Sequence, residues 1–443
     1  MATRFAIATL GCKVNQYDSA IIDSRLRARG MMRGDFSERA DVYIVNTCTI
    51  TDRADTESLR LARRARRLNP NARIVMTGCL AQANPEVLAK AFEVDAVVGL
   101  GRLEDLERAV ASGAGERVMV ANLRKTKAPI EMAAVTLDGH TRAFLKLQEG
   151  CDQFCTFCIV PFSRGSSRSV EPRRVMSALD DLHARGIREV VLTGVHLGGY
   201  GKDLESPAEL ADLLEMIGER CPIERVRISS LDPEELSDRI IEIISSSEKF
   251  CPHLHLPLQS GDDETLLRMR RRYQRDDFRD RVERVLDAWP DAAIGTDLIV
   301  GFPGETPSHF DSYFNFVESV PLAYFHVFPY SVRAGTSAAR FSGRVKPGEI
   351  KRRAALMREL GDSKRAEFAR GLIGTKLKVL LEERGPAGEL RGYSRNYVRV
   401  ATQGPDELIN REVEVEASSV EGAQLAGEIV RPPADQAACA AAF

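Results

Sequence analysis

Ala143-Phe-Leu-Lys-Leu147-Gln-Glu-Gly150-Cys151-Asp-Gln-Phe-Cys155-Thr-Phe-Cys158 carries an apolar strand pattern straight into three closely spaced cysteines. The strand, Ala143 to Leu147, is the first of six. Glu189 to Thr193, Arg225 to Ser229, His253 to Leu258, Ala293 to Val300 and Phe325 to Phe328 follow it, with helical segments between them. One of those helices reads as opening at Ser206-Pro207, an N-cap followed by proline in the first turn. Repeated βα units predict a barrel or partial barrel whose active face lies at the strands' C-terminal ends. Cys151, Cys155 and Cys158 sit just past the first strand, on that face. A closed structural metal site wants four protein ligands, so three thiolates leave one coordination position open.

Towards the N-terminus the alternation has shorter steps. Phe5 to Leu10, Val42 to Val45 and Ile74 to Met76 read as strands; Ser19 to Arg29, Asp52 to Leu68 and Pro85 to Phe92 read as helices. This βαβ pattern implies a parallel sheet. Cys12, Cys48 and Cys79 each follow a strand, and the crevice of an open α/β sheet lies at the carboxyl ends of its strands. Cysteines far apart in sequence can therefore meet as a second triplet. Beyond a charged helix from about Pro347 to Arg370 come short strands with turns: Lys376 to Glu382, Glu389 to Tyr393, Tyr397 to Ala401, Glu412 to Glu416 and Glu428 to Val430. They read as a small all-β barrel. The expected class is α/β, with a flavodoxin-like parallel domain over residues 1–135, a (β/α)6 partial barrel over 136–370, a small barrel over 371–432 and a disordered alanine-rich tail over 433–443.

A chain of 443 residues is long enough for about three domains. No apolar run is long enough to span a bilayer, and the stretch from Phe5 to Leu10 is too short for a signal peptide, so a cytoplasmic protein is expected. Nine cysteines in such a chain point to metal or redox use ahead of a disulfide framework. Cys221 and Cys251, each before a proline, read as buried structural thiols. The formal net charge of -2 argues against a globally basic nucleic-acid binder but leaves local patches open.

Thiolates are soft ligands that suit an iron-sulfur cluster; the tight triplet also reads as a zinc knuckle with a distant fourth ligand or as three unrelated thiols, and each dispersed cysteine taken singly reads as buried packing. In His253-Leu-His255-Leu-Pro257-Leu-Gln259 the two-residue period puts the histidines and Gln259 on one face and the leucines on the other. The histidines read either as lumen hydrogen-bonding groups or as metal ligands. In Gly295-Thr-Asp297-Leu-Ile-Val-Gly301 the glycines and Asp297 share a side. Arg60, Arg63, Arg64 and Arg67 form one helical face opposite Leu61, Ala65 and Leu68, which is either a solvated stripe or a phosphate contact. Arg268 to Arg272 with Tyr273, and Arg391-Gly-Tyr393-Ser-Arg395-Asn-Tyr397-Val-Arg399, mix cations and aromatics as single-stranded RNA surfaces do, and each also reads as ordinary surface.

Six motifs together resemble the radical S-adenosylmethionine (SAM) methylthiotransferase family. They are Gly11-Cys12-Lys-Val-Asn-Gln16, Asn46-Thr-Cys48-Thr-Ile-Thr, Thr77-Gly-Cys79-Leu-Ala-Gln82, Cys151 to Cys158 with Ile159-Val-Pro161-Phe-Ser-Arg164-Gly165, Thr193-Gly-Val-His-Leu-Gly-Gly-Tyr-Gly201 and His255-Leu-Pro-Leu-Gln-Ser-Gly261. The first motif, and Asn46-Thr-Cys48-Thr with Asp52-Arg-Ala-Asp, resemble the branch acting on N6-threonylcarbamoyladenosine at position 37 of tRNA. Asp18 departs from the glutamate common in the family, and the tail with Cys439 does not match.

The resemblance implies two 4Fe-4S clusters. One, on Cys151, Cys155 and Cys158, would bind SAM and generate a radical; an auxiliary one, on Cys12, Cys48 and Cys79, would keep an iron open for a sulfur species. SAM would serve as radical source and methyl donor, and C2 of the adenine would receive the methylthio group. Phe157, Gly194, Gln259, Asp297 and Gly301 are the expected SAM contacts, although the last four also read as strand caps and turns. The small barrel would be an RNA-binding TRAM-like module. Expected partners are the tRNA anticodon loop, an electron donor such as a flavodoxin or ferredoxin, and a sulfur source, with no membrane. Rival readings are the same chemistry on isopentenyladenosine or a ribosomal-protein aspartate, and a non-enzymatic iron-sulfur RNA-binding protein.

Overall fold

The computed structural model describes residues 2–111, 116–126, 130–132 and 141–431. The expected boundary at 135/136 and the tail with Cys439 lie outside these residues.

Six parallel strands form the N-terminal sheet: β1 (Arg4–Thr9), β2 (Met32–Arg33), β3 (Val42–Thr47), β4 (Arg73–Gly78), β5 (Ala96–Val98) and β6 (Val118–Met119), ordered β2-β1-β3-β4-β5-β6. β2, β5 and β6 are too short to show a period in the sequence. The chain order reverses at β1 and β3, so the loops after β1, β3 and β4 share one crevice. Helix α1 (Lys13–Ala28) starts well before the expected Ser19. Gly11, with φ +100°, turns the chain directly after β1, so the helix begins at once. Its first turn is polar because Asn15 is buried against neighbouring loops and not in an apolar core. Helix α2 (Asp52–Leu68) has Thr51 as its N-cap and buries Leu61 and Ala65 against the sheet, and the short helix α3 (Cys79–Ala83) starts at a cysteine.

The central domain holds β7 (Arg142–Glu149), β8 (Arg168–Ser169), β9 (Glu189–Gly194), β10 (Arg225–Ile228), β11 (His253–His255), β12 (Ala293–Val300) and β13 (Tyr324–Pro329). β10-β9-β7-β8 and β11-β12-β13 are the ladders, and isolated parallel bridges at Val226 with Phe250 and Ser230 with His255 join them. All but β8 run parallel, giving a six-stranded partial barrel. Leu254, Leu256 and Leu258 belong to the buried core beneath the outer helices, as the two-residue period requires. The expected helix start at Ser206-Pro207 is not observed: the helix is Leu210–Arg220, set by a capping box of Glu209 and Asp212. The preceding residues instead close a turn in which the Ala208 amide donates to the Gly201 carbonyl at 3.3 Å.

Helix Pro347–Gly371 leads to β14 (Lys376–Arg384), β15 (Leu390–Ser394), β16 (Arg399–Thr402), β17 (Glu412–Glu421) and β18 (Gln424–Arg431), a closed barrel ordered β14-β15-β16-β18-β17. It packs where the partial-barrel strands begin. Buried Glu189 holds Arg225 and Arg227 at 2.8 and 2.9 Å, and these arginines donate to the carbonyls of Tyr393 at 3.1 Å and Arg395 at 2.8 Å. Among the described residues, no helix is long and apolar enough to cross a membrane.

Candidate functional site

Cys12, Cys48 and Cys79 project from the loops after β1, β3 and β4, and tight backbone packing brings those loops together. A Cβ on Gly11 would lie 2.9 Å from the Cys48 sulfur, and one on Gly78 would lie 2.4 Å from the Thr47 carbonyl oxygen. Asn15 ties the loops, its Nδ2 donating to the carbonyls of Leu10 at 2.6 Å and Thr47 at 3.0 Å, while Asn46 Nδ2 donates to the Asn15 carbonyl at 2.9 Å. Thr47 Oγ1 accepts from the amides of Leu80 and Ala81 at 3.1 and 3.2 Å, which fixes the start of α3 and hence Cys79. Cys48 and Cys79 are buried and Cys12 is exposed. Burial pushes the Cys79 thiol up to about 12, opposed by Arg164.

Cys151, Cys155 and Cys158 lie in a loop pinned from several sides. The Cys151 amide donates to the Gly165 carbonyl at 3.0 Å, and that of Thr156 to the Met269 carbonyl at 3.0 Å. A Cβ on Gly150 would fall 2.0 Å from the Ser166 carbonyl oxygen, so only glycine fits there. Burial raises Cys151 and Cys158 to about 12, with Cys155 adding to the rise. Arg271 Nη1 donates to Cys155 Sγ at 3.4 Å and pairs with Asp232. Three half-buried cysteines thus share one loop beside a cation.

The donor sets separate a zinc ion from a cluster. Zinc holds thiolates at about 2.3 Å, so sulfurs around one ion must lie within roughly 4 Å of one another. Among the described residues, His/Cys/Asp/Glu groups with ligand atoms all within 4.8 Å are His255–Asp297–His326 and His196–Asp232–Glu235. Neither cysteine triplet is that tight, although within each the thiols are close enough to perturb one another. Thiols grouped near one another but more widely spaced than one ion allows fit a polynuclear iron-sulfur group.

One side chain joins the two sites. Arg164, 2% exposed, donates from Nε to Cys79 Sγ at 3.3 Å, from Nη1 to Glu149 at 2.5 Å and from Nη2 to Asp18 at 3.0 Å. Lys146 completes the network at 2.6 Å from both Asp18 and Glu149. Arg333, just beyond β13, reaches back to Asp55 at 2.6 Å and to the Thr49 carbonyl at 3.3 Å, and also pairs with Asp52. Two arginines thus clamp the N-terminal sheet on the barrel mouth.

Inside the barrel Asp297 accepts from His255 at 3.1 Å and His326 at 3.0 Å. Burial alone would raise its carboxyl, but these hydrogen bonds hold it below the usual range. His253 instead contacts the Tyr324 hydroxyl at 2.7 Å, and burial pushes its pKa well below the ordinary imidazole value.

Residues 145–317 match the radical SAM superfamily, and residues 4–99 match the uncharacterized protein family UPF0004. Over 98% of both chains, this one is 38% identical to the threonylcarbamoyladenosine tRNA methylthiotransferase MtaB of Bacillus subtilis. The chain belongs to the methylthiotransferase family. A tRNA-2-methylthio-N(6)-dimethylallyladenosine synthase of Clostridium botulinum is 33% identical over 96% of both chains. The radical SAM methyltransferase TsrM of Kitasatospora setae, solved with cobalamin and a [4Fe-4S] cluster, aligns with a TM-score of 0.55 at 16% identity, covering 74% of this chain and 75% of that one. That likeness concerns the fold.

The other expected contacts of this methylthiotransferase are scattered. Gly194 ends β9, next to Gln148 and Leu197. Gln259 adopts φ +66° past β11, its carbonyl accepting from the Ile299 amide at 2.8 Å. Phe157 packs against the buried cluster of Met269, Phe302 and Ala338. At Gly301 a Cβ would meet Ile350 at 2.4 Å, so on that side the missing side chain makes room for the long helix. Arg271, expected on an RNA surface, is instead buried at Cys155. Arg60, Arg63 and Arg67 are exposed, Arg64 half-buried, and Arg60 pairs with Glu57 at 2.6 Å. Cys221 and Cys251 are buried thiols. Asn15 and Arg164 stand within the quoted motifs, but their roles depend on partners distant in sequence. Asp232 and Glu235 carried no signal beyond ordinary acidity.

Proposed function

We propose that this chain is a radical SAM tRNA methylthiotransferase that converts N6-threonylcarbamoyladenosine at position 37 to its 2-methylthio derivative. The observation that carries this reading is the near-full-length identity to the Bacillus enzyme, spanning both cysteine triplets. In this reading Cys151, Cys155 and Cys158 hold the SAM-binding 4Fe-4S cluster, and Cys12, Cys48 and Cys79 hold the auxiliary one. When bound, the first supplies the electron that cleaves SAM and the second presents sulfur to the acceptor carbon. The chain's own residues set the geometry: Arg164 places Cys79 and its loop beside the barrel mouth, Arg271 offsets negative charge at Cys155, and Asp297 with His255 and His326 forms a hydrogen-bonded polar cluster.

The same reading takes 1–135, 136–370 and 371–432 as auxiliary-cluster, radical SAM and TRAM-like RNA-binding domains. It takes the anticodon loop as the RNA element bound, a flavodoxin or ferredoxin as electron donor, a separate sulfur source, and the cytoplasm as compartment. Tyr393 and Tyr397 of the small barrel line a surface cavity together with Arg365 and Arg399, a mixture of aromatics and cations of the kind single-stranded RNA surfaces use. Nucleoside mass spectrometry of tRNA from a strain lacking the gene, with and without a plasmid copy, tests the assignment. The 2-methylthio-threonylcarbamoyl nucleoside should vanish and return. If it is unchanged while the isopentenyl nucleoside loses its methylthio group, the acceptor is wrong.

A further inference from the structure

Lys13 follows Cys12 and opens α1, is half-buried, and lies within electrostatic range of the barrel charges Arg142, Glu189, Arg227 and Asp297. Each of these neighbours already has a partner. Arg142 pairs with Glu382 at 2.7 Å, Arg227 with Glu189 at 2.9 Å, and Asp297 with the two histidines. Lys13 has none: among the described residues its half-buried ammonium makes no hydrogen bond or ion pair. A cation kept off the surface without a partner is costly unless a ligand supplies the opposite charge. β13 is an edge of the partial barrel, and His326 and Phe328 on it are 53% and 38% exposed.

The acceptor's chemistry fits this arrangement. In N6-threonylcarbamoyladenosine the amino-acid N–H can close a hydrogen bond to N1, which lays the threonyl carboxylate along the N1–C2 edge of the base. C2 must face the Cys12 side for sulfur to reach it, so the carboxylate arrives beside residue 13. We propose that the Lys13 ammonium pairs with that carboxylate and so selects an adenosine with an anionic N6 substituent. The inference rests on the acceptor proposed above.

Its test uses the reconstituted full chain and two synthetic anticodon stem-loops, one with threonylcarbamoyladenosine and one with its carboxylate methyl ester. Wild type should favour the acid in kcat/KM by about 10- to 150-fold, the range for a charge-assisted hydrogen bond. Lys13→Gln should bring that ratio near one and weaken binding of the acid stem-loop in fluorescence anisotropy, with iron content maintained. Lys13→Arg should keep the preference. The inference is overturned if Lys13→Gln retains the wild-type ratio, or if it loses iron and both substrates alike, which would make Lys13 a support of the Cys12 site. A wild-type chain active only on an isopentenyl stem-loop would overturn the acceptor itself.

Discussion

Arg164 of the barrel domain donates to the Cys79 sulfur of the N-terminal sheet at 3.3 Å, so one buried guanidinium sets the relative position of the two cysteine sites. Its other donors engage Glu149 and Asp18, and the planar fork serves three directions at once. Arg164→Lys keeps the charge but not the fork. It should leave SAM cleavage standing while lowering methylthio product per 5'-deoxyadenosine by about tenfold, the scale of one lost charge-assisted hydrogen bond. Arg164→Met should also destabilise the fold by about 3–5 kcal/mol, because Glu149 and Asp18 lose a buried counter-charge. Wild-type coupling in Arg164→Lys would show that the contact does not position the sites.

The two triplets should fail separately. Cys155→Ala is expected to abolish SAM cleavage, whereas Cys48→Ala should retain some cleavage and lose sulfur insertion. Each variant, reconstituted anaerobically, should hold about four irons against about eight in wild type. If both substitutions left methylthiolation intact, the assignment of those thiols would be wrong.

Gly11 and Gly30 form an internal control. Both have positive φ, +100° and +79°, but a Cβ on Gly11 would strike Cys48 at 2.9 Å, whereas one on Gly30 would meet nothing within 4 Å. Gly30→Ala should therefore cost only the conformational penalty of about 1–2 kcal/mol. Gly11→Ala should in addition halve the iron content, with SAM cleavage retained. Equal iron in the two variants would mean that the close approach at Gly11 does not shape the site.

The periodic parts of the molecule were legible in the sequence. The alternation running through β11 sorted leucines from histidines, and strand-end placement grouped Cys12, Cys48 and Cys79. What could not be read depends on long-range pairing. Arg164 is one arginine after a proline-containing turn, and Arg271 is one of a basic run; nothing local distinguishes a guanidinium that will be buried against a thiol from one that will be solvated. Asn15 interrupts the apolar stripe of α1, which hid the helix start. Gly301 looked like room for a ligand because a missing side chain admits a helix or a cofactor equally well.

Glu189 governs how the small barrel stays on the domain above it. Fully buried between Arg225 and Arg227, it is raised by burial but pulled lower by the two arginines, to about 2 from an ordinary 4.5. A carboxyl depressed in the folded state adds stability above its unfolded pKa and loses it as pH falls towards the folded value. Wild-type stability should thus drop between about pH 4.5 and 2, by on the order of 3 kcal/mol for this group. Glu189→Gln should be less stable at neutral pH by about 3–5 kcal/mol, since both arginines lose their buried counter-charge. Its urea midpoint should also fall less steeply across the acid window. Trp289, the single tryptophan, lines the same surface cavity as Lys378, Arg395 and Asn396 of the small barrel and reports the transition by fluorescence. Parallel pH profiles for the two proteins would remove Glu189 from the account of acid unfolding.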